Sequence, residues 1–169
     1  MFEGARSEME RARQTLDALQ FAHDQREFLT RFNDVVGSAQ LVLIAMLREG
    51  RGDRLPGFAQ WYEVKRRELE DDELMSVVRE ARDHDFNDGP HRLRFVSGPA
   101  NLRTDEQGRP VKEGAWWSLP AAPTTYVAID GAPAHHDGHP LQRTDPLAFC
   151  TDAIEYLEGL LAEAEAIVG

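Results

Sequence analysis

A chain of 169 residues and 19.1 kDa is one domain in size, long enough to build a single sizeable core. Its 30 acidic against 19 basic side chains give a net charge of −11, which repels phosphate backbones on average, so any nucleic-acid role requires a local basic patch. One cysteine, Cys150, excludes an intrachain disulfide framework and fits a reducing compartment.

The N-terminus lacks the layout of a signal peptide, and the longest apolar run, Leu41 to Leu47, is too short to span a bilayer. A cytoplasmic, bacterial-type protein with no membrane segment is the expectation.

Residues 1–90 are helical in pattern. Met9, Leu16, Leu19 and Phe21 predict a first helix, with Ser7 as N-cap and Glu10 as its capping-box partner. A second and stronger pattern runs from Phe28 and Phe32 through Val35, Val36, Ala39, Val42, Leu43, Met46 and Leu47 to Gly50. Gly37 inside it predicts close packing with a neighbour. Residues 48–57 read as a loop from their Gly and Pro content. A third helix is expected from about Phe58 to Glu70, with Phe58, Trp61, Tyr62, Lys65 and Leu69 along one side and Trp61 and Tyr62 in the core. Asp71 or Asp72 then caps a fourth, whose stripe is Leu74, Val77, Val78 and Ala81 and which ends before Gly89-Pro90.

From residue 91 the pattern changes. His91 to Val96 is extended, and Ala115 to Leu119 and Thr124 to Ile129 predict two strands around a Pro-Ala-Ala-Pro link. A polar loop follows from Asp130 to Asp145. The last helix begins near Pro146 and carries Phe149, Ala153, Tyr156, Leu157, Leu160, Leu161, Ala164 and Ile167 on one face. The expected fold is a single mainly α domain: a helical bundle (1–90), a small β-hairpin and loop insertion (91–145) and a closing helix (146–169).

Residues 79–91, REARDHDFNDGPH, concentrate the polar chemistry at one helix end. A calcium loop fails on spacing, because Gly89 falls one place late and Arg94 stands where a bidentate Glu belongs. With Leu74 at the centre of the buried face, Arg82 falls at about 80° and His84 at about −80°, on its two shoulders. From a shoulder, an arginine can present its planar fork to a phosphate or carboxylate; it can equally pair with Asp85 or a neighbouring helix.

The series Arg31-Phe32-Asn33, Ala39, Pro56-Gly57-Phe58, Trp61-Tyr62, Lys65, Leu69, Leu74 and Ala81-Arg82-Asp83 resembles a group of uncharacterised bacterial proteins. That group is similar in turn to the HEPN superfamily of helical domains. The resemblance covers residues 20–90, with a looser echo in the closing helix. It implies an up-and-down bundle that forms a homodimer and binds RNA or a nucleotide, without a cofactor or metal. It also implies a place in a bacterial toxin–antitoxin or phage-defence system, with an antitoxin or other defence protein as partner.

The superfamily's active motif is an Arg, a polar residue, then a His about five places after the Arg. Arg82 and Asp83 match its first two positions, and Asn87 stands at the third. Register Arg79 with His84 restores the spacing but places Glu80 after the arginine and loses the surrounding match, so the Arg82 register is preferred. Metal-free RNA cleavage needs a group that exchanges protons near neutral pH, which histidine does and asparagine does not. The motif therefore implies a degenerate metal-independent endoribonuclease, with His84 or His91 as substitutes for the missing ring. A non-catalytic protein-interaction or dimerisation module is the alternative class.

Three further clusters are weighed. His135, His136, Asp137 and His139 are donors for zinc or nickel, but adjacent residues in a Gly-Pro loop rarely converge on one ion, so a solvated loop without metal is expected. Trp116 and Trp117 point to opposite faces if extended, and one of them packs on the bundle. Residues 48–67 hold six basic and three acidic side chains, a local excess that suits phosphate contact or a solvated helix face interleaved with Glu63, Glu68 and Glu70. Cys150 reads as packing.

Overall fold

Helix α1 (Glu3–Leu19) begins four residues before Ser7, because its cap comes from another helix. The carboxylate of Glu49 accepts the backbone N–H of Gly4 at 2.9 Å and of Ala5 at 3.4 Å, where the helix dipole also favours a negative charge. A Cβ at Gly4 would stand 2.1 Å from Glu49 Oε1 and push the capping carboxylate aside. Phe2 precedes the helix at φ 54°, with its ring buried 5.6 Å from that of Phe58. The expected capping box of Ser7 and Glu10 lies inside the helix, and Phe21, beyond its end, is 64% exposed.

The computed structural model describes residues 2–52, 55–80, 92–97, 117–119 and 122–169. Helix α2 (Gln25–Gly52) starts at Asp24, whose Oδ1 accepts the Glu27 N–H at 2.8 Å. It continues through residues 48–52, which the Gly and Pro content assigns to a loop. Packing overrides local propensity here: Gly50 lets the buried ring of Phe58 approach to where a Cβ would meet it at 2.3 Å. Gly37, the expected close contact, has nothing within 4 Å of its Cβ position. Helices α3 (Phe58–Asp71) and α4 (Glu73–Glu80) then fold back, hinged at Asp72.

Strands β1 (Arg92–Ser97), β2 (Trp117–Leu119) and β3 (Ala122–Asp130) form an antiparallel sheet in the order β1-β3-β2. Leu93 pairs with Ile129 and Trp117 with Val127, and a bulge follows Ser118. The extended segment after residue 91 is thus an edge of this sheet, added to the two strands expected from sequence to make three among the described residues. A second ribbon, β4 (His135–His136) and β5 (His139–Pro140), turns at Asp137-Gly138 with φ 48° and 73°, the backbone that a tight two-residue hairpin demands. Helix α5 (Pro146–Val168) closes the domain, with Asp145 accepting the Ala148 N–H at 3.1 Å and Pro146 at its first position.

An aromatic line ties the layers together. Phe28 stacks on Phe32 at 6.3 Å, meets Phe95 of β1 edge-on at 6.1 Å and Trp117 of β2 at 5.4 Å, while Phe32 reaches Phe149 of α5 at 6.0 Å. Trp117 is therefore a tryptophan that packs on the bundle; Trp116 lies outside the described residues. Among those residues no helix is long and apolar enough to cross a membrane. The protein is mainly helical, with a small antiparallel insertion before its last helix.

Candidate functional site

Arg82, Asp83, His84 and Asn87, with His91, lie outside the described residues, so the site is built from what leads into it. That element is α4. Its apolar stripe of Leu74, Val77 and Val78, together with Met75, is buried against the bundle, which fixes the helix's rotation.

The N-terminal end of α4 is held by acids. Asp72 Oδ1 accepts the Met75 N–H at 2.8 Å, which makes it the N-cap of the two candidates offered by the sequence, Asp71 and Asp72. The same carboxylate takes the Asp137 N–H at 2.7 Å and His136 Nδ1 at 2.9 Å, with both side chains largely buried. Beside it, Glu73 Oε2 accepts the N–H groups of Ala134 at 2.9 Å and His135 at 3.2 Å. Two consecutive carboxylates thus grip the β4–β5 ribbon. The histidine loop, expected to be solvated, is docked instead.

These contacts shift the titrations. Burial alone would raise the Asp72 carboxyl, but hydrogen bonds from His136, Asp137 and Met75 outweigh it and hold it below the ordinary value. The Ala134 N–H, more than any other contact, lowers the Glu73 carboxyl. The bond to Asp72 raises His136 against the effect of burial. The His136 ring also meets Tyr156 edge-on at 4.8 Å, and burial pushes that phenol up to about 12. His136, Asp137 and His139 do not converge: among the described residues no group of three or more His, Cys, Asp or Glu side chains is placed to hold a metal ion.

The last described turn of α4 is held by a neutral group. Gln40, 8% exposed on the buried side of α2, donates Nε2 to the carbonyls of Val78 and, at 2.8 Å, Arg79. A polar residue within the apolar stripe between Val36 and Leu43 was the available signal for this anchor, and sequence reasoning passed over it. Arg79, the arginine of the shifted register, follows directly; its Nη2 is 3.3 Å from the Glu70 carbonyl.

The basic stretch is compensated. Arg51 meets Glu63 at 3.5 Å, Lys65 meets Glu68 at 2.9 Å and Glu163 of α5 at 3.0 Å, and Arg66 meets Glu70 at 2.6 Å and Glu63 at 3.3 Å. Hydrogen bonding to Glu68 raises Lys65 strongly. Trp61 and Tyr62, expected in the core, are half-buried at its margin around Phe58. Arg31 bonds the Ala18 carbonyl at the end of α1 and Glu27, which makes it a structural cap. Cys150 is buried at the start of α5, and burial pushes its thiol well up.

No family model, curated protein or solved structure matches the chain.

Proposed function

We propose that this chain is a HEPN-like, cytoplasmic effector or accessory domain of a bacterial defence or toxin-type system, one that binds RNA or a nucleotide through Arg82. The observation that supports this reading is the clamp on α4. Gln40 holds α4 at Val78 and Arg79, three residues before Arg82, and a phosphate-binding arginine needs such a rigid lead-in to present its fork. With Asn87 in the proton-exchange position, the domain binds RNA and is degenerate as a metal-independent endoribonuclease. The test is a cleavage assay in EDTA. Wild type leaves an RNA oligonucleotide intact, Asn87→His gains chelator-resistant cleavage, and adding Arg82→Ala removes it. Robust wild-type cleavage that is lost in His84→Ala would instead establish the Arg79–His84 register.

The second reading is a non-catalytic dimerisation or protein-interaction module. The pairing of Arg51, Lys65 and Arg66 with carboxylates favours it, because those cations are not held out for phosphate. Exposed Leu41, Ile44 and Val64 favour a homodimer under either reading. Light scattering at tens of micromolar should show the dimer; a concentration-independent monomer would remove that part of the proposal.

A further inference from the structure

Between α2, α3 and α4 lies a cavity of about 270 Å³ with a mixed apolar and polar lining. Leu43, Ile44 and Leu47 from α2 and Leu69 from α3 give the apolar part, and Ile44 is 41% exposed. The polar part comes from Tyr62 and Arg66 of α3 and Arg79 of α4.

The two arginines differ. Arg66 spends its fork on Glu70 and Glu63. Arg79 has five N–H donors, and among the described residues its one hydrogen bond is the long contact to the Glu70 carbonyl; its Nε is buried without a partner. A guanidinium at the edge of an apolar pocket, with donors unspent, is matched by an anionic oxygen pair. Gln40 completes the wall, with Nε2 committed to α4 and no hydrogen bond to its Oε1 among the described residues. Burial raises the Tyr62 phenol, which keeps its hydroxyl protonated as a donor.

We infer that this cavity binds a small anion with an apolar body, a carboxylate or a phosphate monoester, whose head lies on Arg79 and whose body lies on Leu43, Ile44, Leu47 and Leu69. Size supports a small molecule, because the volume falls just under the range of drug-sized ligand pockets and does not hold a helix of a partner protein. Arg79 belongs to the described helix, so the inference is independent of the role given to Arg82.

Titration of the full chain with 2-naphthoate, 2-naphthyl phosphate and neutral 2-naphthamide, followed by amide chemical shifts, tests it. At least one anion should bind at one site, the amide about tenfold or more weakly, and Arg79→Gln should bring the anion down to the level of the amide. The tighter anion names the head group. Leu47→Trp, which fills the cavity, should abolish binding while thermal unfolding shows that the variant is folded. Equal affinity for the amide, an unchanged affinity in Arg79→Gln, or no binding of any probe would overturn the inference. A dimer that Leu47→Trp dissociates would also overturn it, by placing a second copy of the chain in the cavity.

Discussion

The first and the last described turns of α4 are secured by different chemistry. At its start, Asp72 and Glu73 grip the β4–β5 ribbon through backbone N–H groups and an imidazole that carries charge only below its pKa. In its last described turn, Gln40 uses an uncharged amide on two carbonyls. The lesson is a division of labour. One end responds to pH and to the docking of a ribbon, whereas the end from which the chain continues to Arg82 keeps its hold at every pH.

The largest effect should come from Asp72→Ala, which removes the cap, the ribbon's Asp137 contact and the partner of His136 together. A loss of about 2–3 kcal/mol in unfolding free energy is expected by denaturant titration, because the Asp72 side chain is only 6% exposed. Gln40→Leu should cost less, about 1–2 kcal/mol, as two buried carbonyls lose their donor. That loss should be the same at pH 5.5 and pH 8. A pH-dependent loss in Gln40→Leu would break the contrast between the two ends.

The pH profile sharpens it. His136 is raised by its bond to Asp72, so its contribution is fully present below the ordinary imidazole value of about 6.5 and is lost as pH rises through the folded value. Asp72 and Glu73 are lowered, so their contributions are present above the ordinary carboxylate range and are lost as pH falls through their folded values. The grip on the ribbon should therefore be tightest between the two ranges. His136→Gln should lower stability at pH 6 by about 0.5–1 kcal/mol and flatten the decline toward pH 8; a decline that survives the substitution would assign it to other groups. An effect of similar size and opposite sign belongs to Gly37→Ala. It stiffens the helix that carries Gln40 without meeting a neighbour, so melting curves should show a gain of about 0.5–1 kcal/mol and an unchanged pH profile.

The elements legible in sequence were those whose own pattern determines them. The long stripe of α2, a cap at Asp71 or Asp72, one tryptophan of the Trp116-Trp117 pair against the bundle and a start of α5 near Pro146 each rest on local periodicity, alternation or capping chemistry. Features set by distant partners were not. Ser7 and Glu10 matched a capping box, yet Glu49, far along the chain, supplies the cap at Gly4. The glycine pair was reversed for the same reason: Gly50 is shaped by Phe58, whereas Gly37 faces open space. The histidine loop read as solvated because its anchors, Asp72 and Glu73, lie more than sixty residues upstream. Of the candidate site, Arg79 and its anchor Gln40 are described, while Arg82, Asp83, His84 and Asn87 are known by sequence alone.

Binding of a fluorescein-labelled RNA oligonucleotide at low salt, followed by anisotropy, tests the central claim most directly. Wild type should bind, and Arg82→Ala should weaken binding by about 1–3 kcal/mol, the loss expected for a charge-assisted phosphate contact. Binding should also fall steeply as salt is raised. Wild-type protein that leaves the anisotropy unchanged, or an Arg82→Ala variant that binds as tightly as wild type, would contradict the account.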